Sequence, residues 1–284
     1  MNYTTAILQL ICPDRSGLVS EISGWIAQNG GNIRHADHHV DDGAALFLSR
    51  IEWDINNFSI DRALILREVN KLASHLSGKA QLNFSDEKIN VAIFVSKQSH
   101  CLVDLLWRVQ SDEMPMNVPL IISNHEELRS VCEQFNVRFE YVPVILEDKF
   151  AAEKKMLQLL LKYNIKLVVL AKYMQILSAK FLQEFPSVIN IHHSFLPAFK
   201  GAQPYHRAWE RGVKLIGATA HYVTEDLDDG PIIEQMTAQV SHRDEIKDLI
   251  RKGRDTERIA LARALMLHLR RQVIIYGGRT AIFA

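Results

Sequence analysis

Between residues 89 and 170, apolar strand-like runs alternate with amphipathic helical segments, and this alternation restricts the fold more than any other feature of the chain. The apolar runs lie at residues 89–95, 119–123, 139–142 and 166–170, and the helical patterns between them at 101–109, 126–135 and 150–163. Helices between successive strands imply parallel pairing with right-handed crossovers. The sequence therefore predicts a doubly wound, mostly parallel α/β sheet, in which ligands bind beyond the carboxyl ends of the strands.

The first part of the chain has a different pattern. Strand-like runs at residues 6–11, 32–40, 44–53 and 80–84 are interrupted by two helical segments, in the order βαββαβ. This order predicts a ferredoxin-like, four-stranded antiparallel sheet with two helices on one face. Ser16 is expected to cap the first helix. A short polar break at 85–88 marks the expected boundary, which gives domains at 1–86 and 87–284.

The end of the chain continues the second domain. A strand at 232–240 is expected to end the sheet, and a helix over 244–271 is expected to break near Gly253, because glycine is a poor residue for a helix interior.

Composition excludes several classes of function. The formal net charge is zero, so nothing indicates electrostatic attraction to nucleic acid or to an anionic membrane. Hydrophobic residues make up 48%, which is ordinary for a soluble globular protein. The three cysteines have no metal-like spacing and are expected to be reduced thiols. The first apolar run is too short for a signal peptide or a membrane span, so we expect a cytoplasmic protein.

His38 and His39 alternate to opposite faces of a strand, so no metal site is expected there.

An unusual polar pair marks the strand at 188–191. Asn190 and His192 fall on the same strand face as Val188, where an interior position is normally apolar. An amide and an imidazole at the carboxyl end of a strand suit the binding of an oxyanion or a formyl oxygen. The alternative is that both are buried polar groups bonded to neighbouring backbone.

A second polar group follows the strand at 215–223, which places Thr219 and His221 on one face. The loop after it carries Glu225, Asp226, Asp228 and Asp229. Such a loop is often a solvated turn. It can instead hold one carboxylate close to an imidazole and away from water, which would raise the carboxyl pKa and make it a base near neutrality.

Together these segments resemble the fold of the 10-formyltetrahydrofolate-dependent formyltransferases and hydrolases. The matching segments are residues 190–192, 194–197, 199–201, 221–224 and 227–231. The resemblance implies that Asn190, His192 and Asp228 form the catalytic trio. It also implies that the folate lies against a pocket formed by Met174, Gln175, Ile176, Leu177, His221, Thr224 and Leu227.

Two departures from the transferase pattern favour hydrolysis. The turn at 96–100 has no glycine, whereas the related ribonucleotide formyltransferases have a glycine there for the substrate phosphate, and Gln175 stands where they usually have an arginine. The resemblance thus implies a hydrolase acting on a linear amide C–N bond, which converts 10-formyltetrahydrofolate and water to formate and tetrahydrofolate for purine synthesis. No metal and no cofactor besides the folate substrate are expected. The alternatives are a formyltransferase to an amine such as a glycinamide ribonucleotide, and a catalytically inactive regulator that binds folate and an amino acid.

Residues 12–19 and 29–33 resemble the ACT domain, a small amino-acid-sensing module. The resemblance implies that Asp14, Gly17 and Asn32 line an effector site at the interface of a domain pair, and that the protein is a homo-oligomer, either a dimer or a tetramer. The alternative is a purely structural unit that joins subunits edge to edge.

Overall fold

The computed structural model describes residues 4–145, 148–197 and 204–284, and the chain divides into two compact units. The first unit is Met1–Glu87 together with Arg270–Tyr276 and Ala281–Ala284, and the second is Lys88–Leu269 together with Gly277–Thr280. The first unit therefore contains C-terminal residues that the sequence analysis assigned to the second domain.

The first unit contains the expected βαββαβ order. Its elements are β1 (Thr5–Pro13), α1 (Leu18–Gln28), β2 (Asn32–Asp41), β3 (Leu46–Asp54), α2 (Arg62–His75) and β4 (Lys79–Phe84). The strands lie in the order β2-β3-β1-β4 and every neighbouring pair is antiparallel, which confirms the predicted fold class. Apolar residues of both helices, such as Ile22 and Ile65, form one core with Trp53.

The start of α1 differs from the prediction. Gly17, not Ser16, occupies the N-cap position, with a φ of 92° in the left-handed region and no side-chain cap. Glycine adopts this φ without strain, so the backbone conformation of the turn, rather than a hydroxyl cap, determines where the helix begins.

The second unit is built around a seven-stranded sheet. Its elements are β5 (Ile89–Val95), α3 (His100–Gln110), β6 (Met116–Ser123), α4 (Arg129–Gln134), β7 (Phe139–Tyr141), α5 (Lys149–Lys162), β8 (Leu167–Leu170), α6 (Ala179–Glu184), β9 (Val188–His192), α7 (Pro204–Arg211), β10 (Leu215–Tyr222), β11 (Ile232–Gln239) and α8 (Ile246–Leu269). The strand order is β11-β10-β9-β8-β5-β6-β7. Strands β5 to β9 pair in parallel, whereas β10 and β11 pair antiparallel, so the expectation of a mostly parallel sheet is confirmed.

The predicted break in the last long helix is wrong. Helix α8 is continuous over 24 residues and contains Gly253. A Cβ atom added at Gly253 would lie 2.1 Å from the hydroxyl oxygen of Tyr205. The glycine therefore allows close packing of Tyr205 on the helix and does not interrupt it.

The chain ends with two short strands, β12 (Val273–Tyr276) and β13 (Arg279–Ile282), which pair with each other. Within the first unit, Ile274 and Phe283 pack with Leu48 of β3 in a small apolar cluster. The side chain of Gln9 also donates a 2.7 Å hydrogen bond to the carbonyl of Val273. The C-terminal residues thus cover part of the β1–β3 sheet surface.

Strand β2 lies at an edge of its sheet, and most of its residues are exposed. An exposed edge presents unpaired backbone groups that can pair with another chain. Among the described residues, none of the helices combines the length and the apolar character that a membrane span requires.

Replacing Phe283 with Ala should destabilise the protein, because this side chain is only 8% exposed and packs on the fully buried Leu48. We expect the free energy of unfolding, measured in urea, to fall by about 3 kcal/mol. The neighbouring Ile282 is 40% exposed, so Ile282→Ala should cost less than about 1 kcal/mol. Equal losses in the two variants would contradict the packing described for the C-terminal residues.

Candidate active site

Strands β9 and β10 bring the two polar groups of the sequence analysis together. In their antiparallel register His221 lies opposite Asn190, and Thr219 lies opposite His192. Directly opposed residues of neighbouring strands place their side chains on the same face at close range. The register of β11 on β10 shifts at Ala220 and His221, and such bulges often lie next to functional sites because they redirect a side chain.

The loop after β10 brings Asp228 to His192. The Oδ2 atom of Asp228 lies 3.2 Å from Nδ1 of His192, and its Oδ1 atom lies 3.8 Å from Nε2 of His221. Asp228 itself has a φ of 56°, and a Cβ at Gly230 would lie 1.8 Å from the carbonyl oxygen of Tyr222. Glycine at 230 therefore lets the loop return close to β10, and this path holds the carboxylate beside the imidazole.

The hydrogen bonds determine which nitrogen atoms carry protons. A carboxylate only accepts, so Nδ1 of His192 donates to Asp228. The Nε2 atom of His192 is buried and has no hydrogen-bond partner among the described residues. A buried polar atom without a partner is costly and is uncommon away from functional sites. This nitrogen atom is therefore available to a ligand.

A hydrogen bond to His221 fixes the side chain of Asn190. Nδ1 of His221 lies 2.9 Å from the carbonyl oxygen of Tyr222 and donates to it. In the neutral ring Nε2 is then an acceptor, and the Nδ2 atom of Asn190 donates to it at 3.2 Å. The second N–H of the Asn190 amide points in another direction and can serve a ligand.

The pKa of the loop carboxylate differs from the expectation of a raised value. Burial alone would raise the pKa of Asp228, but the hydrogen bond from His192 and the positive charges that His192, His221 and His193 can carry outweigh burial and lower it. The expectation is therefore corrected: Asp228 is a carboxylate at neutral pH, and it accepts the hydrogen bond from Nδ1 of His192.

A third histidine extends this group. The ring of His193 stacks on that of His192 with centroids 4.9 Å apart and an interplanar angle of 27°. Burial, together with the charges of Lys172 and His192, lowers the pKa of His193 to about 4. His193 is thus neutral at neutral pH and adds no charge beside the Asp228–His192 pair.

A cavity of about 380 Å³ opens over these residues. Its lining includes every residue that the sequence analysis assigned to catalysis or folate binding: Met174, Gln175, Ile176, Leu177, Asn190, His192, His221, Thr224, Leu227 and Asp228. Met174, Ile176 and Leu227 are each about 60% exposed, at 61%, 59% and 60%. The cavity therefore combines an apolar, accessible wall with a polar group at the end of β9. The matching segment at 199–201 lies outside the described residues.

The apolar wall is the segment from Met174 to Leu177, and buried side chains hold it at both ends. At one end, Oγ of Ser96 accepts a 3.0 Å hydrogen bond from the backbone N–H of Met174 and donates to Oδ1 of Asn124 at 2.7 Å. At the other end, the buried Glu153 carboxylate accepts from both the backbone and the hydroxyl of Ser178. The roles of Ser96 and Glu153 could not be predicted, since a serine in a turn and a glutamate in an amphipathic helix give no signal of burial.

The effector residues are not brought together within one chain. The backbone N–H of Asp14 donates to the carbonyl of Ala45, which places Asp14, and Gly17 shortly after it, at the Leu46 end of β3. Asn32 pairs with Asp54, at the opposite end of β3. The length of this strand, on the order of 25 Å, separates the two places.

The sheet, the cavity and the smaller βαββαβ unit together define a class of two-part protein. The chain matches the formyl transferase family over residues 89–265 and the ACT domain family over residues 6–74. A solved structure of glycinamide ribonucleotide transformylase 1 from Symbiobacterium toebii resembles 72% of this chain, and 98% of its own, with a TM-score of 0.66 and 29% identity. This class is thus an ACT domain joined to a formyl transferase-type domain.

Longer matches identify the branch of this class. Formyltetrahydrofolate deformylase from Synechocystis sp. is 54% identical over 284 residues, which is 100% of both chains. A solved formyltetrahydrofolate deformylase from Pseudomonas syringae matches 100% of this chain and 96% of its own, with a TM-score of 0.97 and 42% identity. The chain belongs to the formyltetrahydrofolate deformylase family.

Replacing Ser96 with Ala should destabilise the cavity wall, because it leaves the Met174 N–H and the Asn124 side chain without their shared partner. We expect the free energy of unfolding to fall by about 1–3 kcal/mol. Ser99 in the same turn makes no side-chain cap to α3, so Ser99→Ala should change the same quantity by less than about 0.5 kcal/mol. A Ser96→Ala variant as stable as the wild type would refute the role given to this hydroxyl.

Proposed function

We propose that this protein hydrolyses 10-formyltetrahydrofolate to formate and tetrahydrofolate. Membership of the deformylase family supports the proposal. The observation that carries it is the state of His192, whose Nδ1 is bonded to Asp228 while its Nε2 is buried without a partner among the described residues. A cavity of about 380 Å³ lies over this atom and has the size of a pocket for a small organic ligand.

In the proposed reaction, water attacks the formyl carbon and negative charge develops on the formyl oxygen. The second N–H of the Asn190 amide donates to this oxygen, and Nε2 of His192 adds a second donor with a positive charge when both ring nitrogens carry a proton. Each donor of this kind contributes about 3 kcal/mol to the stability of a transition state. The Asp228 carboxylate accepts from Nδ1 and so fixes the orientation of the imidazole.

The proton that the attacking water loses is passed on to the leaving nitrogen by the same residues. The attacking water loses one proton to the Asp228 carboxylate, which is paired with His192. The C–N10 bond then breaks, and the pair passes that proton to the leaving nitrogen. Formic acid ionises to formate at neutral pH. The proposed reaction uses no metal or cofactor, because the leaving amine is an aryl-type nitrogen and the formyl group on it is already activated.

Water as the acceptor is supported by the turn after β5. A phosphate-binding turn presents free backbone N–H groups, usually with glycines. Here the turn has no glycine, and the hydroxyl of its first residue, Ser96, is already bonded to Asn124 and to Met174. A ribonucleotide acceptor would lack a cradle for its phosphate at this place.

We also propose that an amino acid regulates the reaction through Asp14, Gly17 and Asn32, and that the protein is a homo-oligomer. The ACT domain match supports both proposals. Asp14 and Asn32 lie at opposite ends of the sheet within one chain. An effector site built from all three residues therefore requires two copies, and the exposed β2 edge can supply the contact.

The setting that we propose is the cytoplasm, where the formate would supply purine synthesis. Cys12, Cys101 and Cys132 are all free and buried, as is usual for proteins of reducing compartments.

The proposed activity predicts release of formate from 10-formyltetrahydrofolate with no amine present, measured by a formate assay and by the absorbance change of the folate. Strict dependence on an added acceptor such as glycinamide ribonucleotide would show that the protein is a transferase. Release of no product with or without an acceptor, together with tight folate binding, would show that it is an inactive regulator.

Replacing Asp228 with Asn should lower kcat by at least about 100-fold, because the site loses the carboxylate that accepts the water proton. Binding of tetrahydrofolate should persist, since the apolar wall is unchanged. Asp226 is an exposed carboxylate of the same loop, and Asp226→Asn should leave kcat close to that of the wild type. Normal turnover by the Asp228→Asn variant would show that the trio is wrongly assigned.

An effector site shared between two copies predicts complementation. Asp14→Ala and Asn32→Ala should each remove the response of formate release to amino acids, whereas Asp42→Ala, in the exposed hairpin turn, should not. Co-expressing the Asp14→Ala and Asn32→Ala chains should restore part of the response, because a mixed pair contains one site with both residues intact. A response that persists in both single variants would refute the site, and a lack of restoration would place the three residues in separate roles.

A further inference from the structure

A buried ionic cluster beside the cavity takes no part in the reaction described above. At its centre is Glu257 of α8, which is 1% exposed. Its Oε1 atom accepts from Nζ of Lys172 at 3.2 Å and from the hydroxyl of Tyr205 at 2.8 Å, while its Oε2 atom lies 2.6 Å from Nε2 of His100. One carboxylate therefore joins the segment after β8 to three helices, α3, α7 and α8.

The cluster is not suited to a metal ion. Ligand atoms of His100, Cys101 and Glu257 lie within 4.8 Å of one another. However, the ammonium group of Lys172 is hydrogen-bonded to the same carboxylate and would repel a cation. Burial also raises the pKa of the Cys101 thiol, which disfavours the thiolate that metals bind. The polar atoms of this cluster already form hydrogen bonds with one another.

Lys172 connects the cluster to the apolar wall of the cavity. It is the first residue of the lining segment 172–177, and its φ of 64° is in the left-handed region, where a residue with a Cβ is strained. Such a conformation persists only where the surroundings impose it. The Lys172 side chain is 7% exposed, and its ammonium group depends on Glu257, because a buried charge without a partner is strongly unfavourable.

Tyr205 connects the cluster to His193, which stacks on the catalytic His192. Its ring lies 6.4 Å from that of His193, and His193 stacks on His192 at 4.9 Å. Gly253, one helical turn before Glu257, leaves the space that the Tyr205 hydroxyl needs to reach the carboxylate. Burial opposes the ionised form of Glu257, but the hydrogen bond from His100 and the charge of Lys172 outweigh it and lower its pKa to about 2. The carboxylate is therefore charged throughout the neutral range.

We propose that Glu257 is a positioning residue of this site, which fixes the folate-facing wall through Lys172 and the His192–His193 stack through Tyr205. The inference rests on the proposed function, since it assigns that wall to the folate and that stack to the formyl group. Glu257 reaches the reacting groups only through these two residues.

The kinetic test compares three variants that remove the charges singly and together. Lys172→Met should raise KM for 10-formyltetrahydrofolate by roughly 10-fold, a modest loss of binding energy, with kcat little changed. Glu257→Gln should raise KM and also lower kcat, because it disturbs both the folate-facing wall and the His192–His193 stack. The double variant should lose less than the two single losses combined, since neither charge is then left unpaired.

Matched controls come from an exposed pair of the same type. Lys247 and Glu245 lie 2.9 Å apart with side chains 78% and 70% exposed. Lys247→Met and Glu245→Gln should leave KM and kcat unchanged. All assays should be run at a temperature well below the thermal unfolding midpoint of each variant, so that a loss of stability alone does not change the kinetic constants.

Two further measurements keep the inference separate from the proposed activity. The affinity for tetrahydrofolate should fall in Lys172→Met and Glu257→Gln, and amide hydrogen exchange over residues 172–178 should become faster in both. These results would support the positioning role even if the wild type released no formate, an outcome that would refute the proposed function alone. Folded variants with wild-type KM, kcat, folate affinity and exchange rates would overturn the positioning role while leaving hydrolysis in place.

Discussion

The contact between the His192 imidazole and the Asp228 carboxylate, 3.2 Å long, is the interaction on which the site depends. It joins the end of β9 to a loop that follows β10. It requires the antiparallel register that sets Asn190 against His221, and it requires a glycine at 230 where the loop passes the backbone of Tyr222. Together these conditions leave Nε2 of the His192 imidazole buried and available to a ligand.

The surroundings of this contact consist of buried polar groups that are bonded to one another. Burying such groups is unfavourable unless each finds a partner, and a partly satisfied network is worse than an apolar core. Ser96, Glu153 and Glu257 are each less than 6% exposed and each hold a different part of the cavity wall or its neighbours. The site is therefore built as a rigid polar rim around an accessible apolar wall, which suits a flat aromatic ligand with one polar reacting group.

Much of this arrangement could be predicted from the sequence. The alternation of strands and helices predicted the sheet, and the polar pair Asn190 and His192 at a strand end predicted the place of the site, because neither signal depends on distant residues. Burial of individual charged residues could not be predicted. Lys172 and Glu257 are 85 residues apart, and nothing near either of them in the chain indicates that they meet. Gly253 was misread for the same reason, since its role is set by Tyr205 rather than by the helix around it. The lowered pKa of Asp228 depends on three histidines that only the fold brings close.

The most direct measurement of the central claim is a crystal structure with a folate analogue in which carbon replaces N10, so that the formyl group cannot be hydrolysed. The formyl oxygen should lie within about 3.2 Å of both Nε2 of His192 and the amide nitrogen of Asn190, with the pteridine ring against the wall formed by residues 174–177. A formyl group bound away from His192, or a ring bound outside this cavity, would contradict the account.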